Sequence, residues 1–370
     1  MNESHTPSQS DTASESGRLR ILDAAANRAG EGLRVVEDFA RFVLDDGHLT
    51  QLVKELRHEL ATTCGTLPHC ERLASRDTQQ DVGTVVSTPT EGLRSGTWDV
   101  CAASIERAKQ SLRSLEEYSK VANPELSSRF EELRYRLYTV EKSIGTTHDS
   151  LERLGNIELC VLVDGRNSIE EFCVLVDELV GAEVGMIQLR DKRLSDAELA
   201  ERARLLQSRT RKSSALSIIN DRADVVAAVD ADGVHLGQDD LSVKDARAIL
   251  GPRKLIGVST HSLKQAQAAV LDGANYLGAG PTFPSSTKSF DEFPGTSFLR
   301  QVANEIRLPT FAIGGIGREN LPQVLDTGIC RAAVGHSVVN ASDPKDVVAM
   351  LVEMLAQRDE QPRVPLAAND

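Results

Sequence analysis

From Ile157 onward, short runs of β-branched and aliphatic residues alternate eight times with stretches compatible with helix. No other feature of the chain restricts its fold so tightly. The runs are Ile157–Val163, Val184–Leu189, Ala215–Asn220, Gly233–Leu236, Leu255–Ser259, Asn275–Ala279, Pro309–Ile313 and Arg331–Val334. Strands that alternate with helices build βαβ units and a parallel sheet. Eight such units in about 200 residues fit a compact (β/α)8 TIM barrel. An open doubly wound sheet is the alternative, and the regularity of the repeats favours closure. In a closed barrel the chemistry gathers at the C-terminal ends of the strands.

Before this region the rhythm is helical. Leu19–Leu44, Leu49–Cys64, Val100–Val121 and Pro124–Ile144 carry apolar residues at steps of three and four. Between them, Glu71–Gly96 is rich in Thr, Asp, Gly and Ser and reads as a structured loop. The expected layout is a polar disordered tail over 1–17, a mainly α-helical domain over 18–147, the barrel over 156–357 and a polar tail over 358–370. The join near Gly145 to Gly155 is short, so the two domains are expected to be closely tethered. The helical region contains an echo. The segment from Asn27 to Phe39 returns 79 residues later, from Glu106 to Tyr118, with Arg, Ala, Leu, Arg and Glu coinciding at five positions. Arg34 and Glu37 form an i, i+3 pair, as do Arg113 and Glu116, so each pair can meet on one helix face. Either the charges brace a duplicated helical hairpin or they line a pseudo-symmetric pocket.

At 370 residues the chain exceeds one ordinary hydrophobic core. Aromatic residues are only 4%, so aliphatic side chains must build the interior. A net charge of -13 disfavours nucleic acid and anionic membranes as partners. Phosphorylated small molecules still fit if basic residues converge locally. The six cysteines lack disulfide or zinc spacing and read as reduced thiols. The first residues resemble neither a secretory signal nor a transit peptide, and no apolar run is long enough to span a bilayer. A cytoplasmic protein is expected, with homo-oligomer formation left open.

The strand ends are unusually rich in chemistry. The second run closes on Gln188-Leu189-Arg190-Asp191-Lys192, which places Gln188 and Arg190 on one face with Lys192 just beyond. The third closes on Asn220-Asp221, and the fourth is followed by Gly237-Gln238-Asp239-Asp240. Carboxylates on adjacent loops can share one Mg²⁺, which takes one or two carboxylates and keeps water and phosphate as its other ligands. Aspartates at loop ends also cap and turn. The fifth run ends in Ser259-Thr260-His261, and the sixth leads into Ser285-Ser286-Thr287-Lys288. Small hydroxyls followed by Lys suit a phosphate. The seventh run leads to Gly314-Gly315 and the eighth to Gly335-His336, the usual place for a backbone phosphate site in such barrels. Two anion sites at one mouth follow, one cationic and metal-assisted, the other neutral and built on backbone. Two phosphorylated substrates, one releasing pyrophosphate, are the simplest inference. His235 and His261 are read as packing or loop-bonding residues.

The motifs QLRDK, ND, DGVHLGQDD, IGVSTHS, GAGPTFPSSTK and AIGGI stand in this order between about Glu158 and Glu353. In that order they resemble the thiamine-phosphate synthase family. The resemblance implies a Mg²⁺-dependent transferase that joins hydroxymethylpyrimidine diphosphate to hydroxyethylthiazole phosphate. It implies that Gln188, Arg190, Lys192, Asn220, Ser259 and Lys288 hold the pyrimidine diphosphate. Of these, Arg190, Lys192, Lys288 and Ser259 would act in catalysis. Asp221 and Asp240 would hold the metal, with Asp239 as a rival to Asp240. Ser285, Ser286, Thr287, Gly315, Gly335 and His336 would hold the thiazole phosphate. The family often carries Thr at the place of Ser285 and a small aliphatic–Ser pair at the place of Gly335-His336. A thiazole tautomerase-like barrel would not need the pyrophosphate site. The helical region resembles a small module fused to this synthase in some bacteria and associated with phosphorylation of hydroxymethylpyrimidine phosphate. Asn27, Arg28, Glu31, Arg34, Glu37, Arg107, Arg113 and Glu116 are its candidate residues. A non-catalytic docking or dimerisation module is the alternative.

Overall fold

A computed structural model describes residues 9–77, 79, 93–284 and 293–357. The chain divides into two compact units, Met1–Ile144 and Gly145–Asp370. The first unit is helical, with α1 (Gln9–Phe42), α2 (Gly47–Cys64), α3 (His69–Ala74), α4 (Thr97–Ser119) and most of α5 (Pro124–Leu154). Leu22, Leu33, Val36, Leu49, Ile105, Leu112, Leu115 and Phe130 recur at helical spacing and are buried. Asp46 starts α2 by accepting the Leu49 N–H at 2.8 Å. The crossing of α1 and α4 is close because Gly32 has no side chain. A Cβ there would lie 2.8 Å from the Ser104 carbonyl oxygen and 3.2 Å from the Ala108 Cβ.

The sequence echo is a structural repeat. Glu37 is buried on α1 and is met by Arg34 at 3.5 Å and by Arg57 of α2 at 2.7 Å. Glu116 is buried on α4 and is met by Arg113 at 2.6 Å and by Arg134 of α5 at 2.8 Å. Each hairpin thus turns one buried carboxylate toward two guanidinium groups. The bracing reading accounts for Glu37 and Glu116, whose oxygens are occupied.

Two expected boundaries differ from the structure, and the stretch from Glu71 that is expected to be loop begins inside the short helix α3. The tail over 1–17 is helical from Gln9, because no Gly or Pro interrupts the polar residues between Ser8 and Gly17. Residues 1–8 and 358–370 lie outside the described residues. The join near Gly145 is also helical. Helix α5 continues to Leu154 because Thr147, Ser150 and Leu154 prolong its buried face. One glycine inside a helix costs only about 1 kcal/mol.

The second unit is a closed barrel of eight parallel strands in sequence order, with the last paired to the first. The strands and their helices are β1 (Leu159–Val163), α6 (Ile169–Gly181), β2 (Met186–Leu189), α7 (Asp196–Thr210), β3 (Leu216–Asn220), α8 (Ala223–Val229), β4 (Gly233–Leu236) and α9 (Val243–Leu250). Then follow β5 (Leu255–Thr260), α10 (Leu263–Asp272), β6 (Tyr276–Ala279), α11 (Gly295–Glu305), β7 (Thr310–Ile313), α12 (Leu321–Leu325), β8 (Ala332–Val334), α13 (His336–Val339) and α14 (Pro344–Ala356). All eight expected strands are present, with ends shifted by at most two residues. Cys160, Met186, Ile218, Leu255, Tyr276, Phe311 and Ala333 fill the interior, and Leu154 and Ile157 join them from the segment before β1.

One interior position is specified by shape. A Cβ on Gly257 would lie 2.1 Å from the Tyr276 ring. Gly257→Ala is therefore expected to destabilise the barrel by about 1–3 kcal/mol through overpacking. Thermal denaturation would show it, and an unchanged melting temperature would contradict the account.

Candidate active site

At the C-terminal ends of β2 to β5 the barrel opens into a cavity of about 340 Å³. Its wall begins at Arg190 and Lys192. The Arg190 N–H still donates to the Val163 carbonyl at 2.8 Å, so the strand alternation carries one residue past β2 and turns Arg190 into the cavity. Asp191 faces the other way. Its carboxyl is held at about 2, chiefly by the Arg193 guanidinium and further by the N–H groups of Arg193 and Gly165. Asp191 thus anchors the loop that carries Arg190 and Lys192. Gln188 is buried one step below Arg190 and does not line the cavity.

Asn220 and Asp221 form the next stretch of the wall. Asp221 has φ +63°, the left-handed region that costs a residue with a Cβ of order 1 kcal/mol or more. Its N–H donates to the His235 carbonyl at 2.8 Å, which holds the strained turn in place. The Lys192 Nζ stands 3.5 Å from the Asp221 carboxylate. Burial and the neighbouring Asp240 carboxylate push the Asp221 pKa up, and Lys192 offsets them only partially. Asp240 accepts the Gly237 N–H at 2.7 Å. Asp239 lines the cavity as well but is not among the groups that act on Asp221. Of the two rivals, Asp240 is the one that meets Asp221.

Three aspartates, Asp221, Asp239 and Asp240, line the cavity against two cations, Arg190 and Lys192, which leaves net negative charge there. That donor set fits a hard divalent cation of the Mg²⁺ type, which needs few protein ligands. Among the described residues no group of three or more His, Cys, Asp and Glu could hold a metal, so a cage suited to zinc is not built there.

Ser259, Gln238, His261 and Gln265 complete the wall. The Gln238 side chain donates to the Ser259 carbonyl at 2.6 Å. Gln265 of α10 accepts the His261 N–H at 2.7 Å, and the His261 ring meets the Gly280 carbonyl. His261 therefore ties the end of β5 to α10 and to the loop after β6, and it also lines the cavity. The sequence pattern does not single out Gln238 or Gln265 as wall residues. Gln238 sits inside the HLGQDD motif, which is a usable signal, whereas Gln265 lies on a helix with no local signal. Neither His235, which is buried, nor the glycines after β7 and β8 line this space.

The residues expected at the second anion site stand elsewhere. Gly315 has φ +63°, and a Cβ there would meet the Pro284 carbonyl at 2.5 Å, so only glycine fits. Asn320 braces that turn by donating to the Gly315 carbonyl and accepting the Gly317 N–H, both at 2.8 Å. A Cβ on Gly335 would meet Leu162 at an ordinary 3.6 Å, so sterics do not require glycine there. The His336 side chain is exposed, and its Nδ1 is 2.8 Å from the Asn340 amide. Ser337 donates to the Ile316 carbonyl at 3.1 Å, tying the loops after β7 and β8 together. Ser285, Ser286, Thr287 and Lys288 lie outside the described residues.

The chain is similar to known proteins along both of its units. A family model described as thiamine monophosphate synthase matches residues 159–338, and the ThiD2 family matches residues 20–143. A thiamine-phosphate synthase from Rhodopirellula baltica is 43% identical over 357 residues, covering 94% of either chain. One from Gloeobacter violaceus is 41% identical over 338 residues, covering 91% of this chain and 96% of its own. Among solved structures, a thiamine phosphate pyrophosphorylase from Pyrococcus furiosus superposes with a TM-score of 0.50 at 35% identity. It covers 55% of this chain and 96% of its own.

Proposed function

The chain belongs to the thiamine-phosphate synthase family, and from that premise we propose how its residues serve the reaction. The enzyme is a transferase that joins hydroxymethylpyrimidine diphosphate to hydroxyethylthiazole phosphate and releases pyrophosphate. The carrying observation is the cavity in which Arg190 and Lys192 stand opposite the facing carboxylates of Asp221 and Asp240. Such a mouth accepts a diphosphate and a cation together. Asp221 and Asp240 would hold Mg²⁺, which when bound would supply charge neutralisation at the leaving pyrophosphate. The protein acts as a soluble enzyme of the cytoplasm.

In the reaction the C–O bond to the diphosphate breaks and its electron pair leaves with the pyrophosphate. The pyrimidine-methyl cation left behind is stabilised by its ring, and the thiazole nitrogen closes the new C–N bond. No electrons enter from outside and no residue needs to become covalently attached. Arg190 and Lys192 meet the growing charge on the departing oxygens, where fixed charges act most strongly. Asn220 and Ser259 donate hydrogen bonds to the bound pyrimidine diphosphate, and Gln188, on the same strand face as Arg190, belongs to the same binding set. Lys288 adds a further cation. Ser285, Ser286 and Thr287, with Gly315, Gly335 and His336, hold the thiazole phosphate beside the cation, so that capture by nitrogen outruns capture by water.

For the helical unit, the match to the ThiD2 family supports phosphorylation of hydroxymethylpyrimidine phosphate, the step that makes one barrel substrate. Asn27, Arg28, Glu31 and Arg107 are exposed and can meet a ligand. No phosphate-binding loop of the G-x-x-x-x-G-K-[ST] kind is present in the sequence. The full chain should be assayed with Mg²⁺ and thiazole phosphate, together with either pyrimidine diphosphate or pyrimidine monophosphate and ATP. Product from the diphosphate is expected, and product from the monophosphate with ATP would make the chain bifunctional. Product from the diphosphate alone would leave the helical unit as a docking or dimerisation module. Absence of product from both would overturn the synthase reading in favour of a tautomerase-like barrel.

A further inference from the structure

Three neighbouring strands place a chain of hydrogen-bonded side chains from the barrel interior to the cavity wall. In register, His235 of β4 pairs with Gly257 of β5, which pairs with Tyr276 of β6. With no side chain on Gly257, the Tyr276 ring lies across that position and reaches His235. Gly278, further along β6, likewise leaves room, since a Cβ there would come within 3.0 Å of the His235 Cε1. The Tyr276 hydroxyl lies 3.2 Å from His235 Nδ1, and His235 Nε2 lies 2.9 Å from Ser259 Oγ. Of the three, only Ser259 lines the cavity.

The proton positions follow from what is buried. Tyr276 is 2% exposed, and a buried phenol must donate its proton or leave it unpaired. His235 Nδ1 is the acceptor at hand. A ring that accepts the phenol proton at Nδ1 keeps its lone pair there and is therefore neutral. A neutral ring that accepts at Nδ1 carries its proton on Nε2. That Nε2–H donates to Ser259 Oγ. The hydroxyl of Ser259 is then left with its own proton to give and one side open to the cavity.

We infer that Tyr276 and His235 are positioning residues that turn the Ser259 hydroxyl proton toward the substrate and bias Ser259 to act there as a hydrogen-bond donor. The inference rests on the synthase reading of the cavity, and the partner of Ser259 is an acceptor atom of the pyrimidine diphosphate. A free serine can donate or accept equally well. A serine already receiving the histidine proton favours an acceptor and discriminates against a donor at the same place.

The test combines a spectroscopic and a kinetic reading on the full chain. In ¹⁵N-histidine-labelled protein, the signal lost in His235→Gln belongs to His235 and should show the Nε2–H tautomer. Tyr276→Phe keeps the ring but removes the phenol proton, so this signal should move toward a mixture of tautomers. Ser259→Ala should lower kcat/KM for the pyrimidine diphosphate by about tenfold, the worth of one hydrogen bond. Tyr276→Phe should lower it by less, and the double variant should lose no more than Ser259→Ala alone. His235→Gln, which can still donate to Ser259, should retain more activity than His235→Leu. An Nδ1–H tautomer in the native protein, or losses that multiply in the double variant, would overturn the proposal. A fully active Ser259→Ala would also overturn it. Failure of the native chain to make thiamine phosphate would instead sink the synthase reading, with the tautomer result unaffected.

Discussion

Asp221→Asn should lower thiamine phosphate formation at least a hundredfold, roughly the loss when one preorganised electrostatic group is removed. Asn is the substitution of choice because it keeps the shape of the side chain and tolerates the left-handed backbone at φ +63°. Ala would add backbone strain and confuse the outcome. The variant should fold as well as the native chain or better in metal-free buffer. The folded-state pKa of Asp221 is raised, so its contribution to stability is present at low pH and is lost as pH rises through that pKa. Ionisation of Asp221 beside Asp240 therefore opposes folding, and Asn removes that opposition. Mg²⁺ should raise the melting temperature of the native protein, because a ligand bound only by the folded state stabilises it. The same addition should have much less effect on the variant. Equal Mg²⁺ responses in the two proteins would remove Asp221 from the metal site, whatever the activity.

The second large effect is expected far from the cavity. Glu116→Ala should destabilise the helical unit by about 3–5 kcal/mol, the penalty for leaving one partner of a buried ion pair alone. The stranded partner is Arg134, whose side chain is 9% exposed and which would keep only the exposed Glu131 carboxylate at a long 4.0 Å and the Tyr138 hydroxyl at 3.0 Å. Glu37→Ala is the control. Its partners Arg57 and Arg34 are 28% and 51% exposed and can turn to water, so the loss should be clearly smaller. Hydrogen exchange of amides in α4 and α5 reads the effect locally, which matters because a two-unit chain need not unfold in one step. Undiminished protection of α4 in Glu116→Ala would show that the ion pair does not hold the hairpin. Comparable losses in the two variants would mean that burial of the guanidinium is not what sets the penalty.

The barrel is legible because its strands are short apolar runs at even spacing, a pattern that needs only the chain itself to read. The position of Arg190 and of Asn220 with Asp221 follows from strand alternation and from the rule that loops after strands carry the chemistry. Boundaries are less legible. Gly145 suggests a break, yet the helix runs on, because the buried face through Thr147, Ser150 and Leu154 outweighs one glycine. Gln265 cannot be found from sequence, since a glutamine on a helix looks the same whether it faces solvent or a cavity. His235 reads as packing and is indeed buried, but the two hydrogen bonds of its ring involve residues 24 and 41 positions away.

Local pattern thus determined the element types, their order, the repeat in the helical unit and the strand ends at which polar residues collect. These depend on spacing along the chain, and spacing is written in the sequence. Only the closed barrel decided which of those residues meet, as with Tyr276 on His235 across Gly257. Such contacts are set by register between strands and by where a missing side chain leaves room. Both are properties of neighbours in space, which the order of residues does not state.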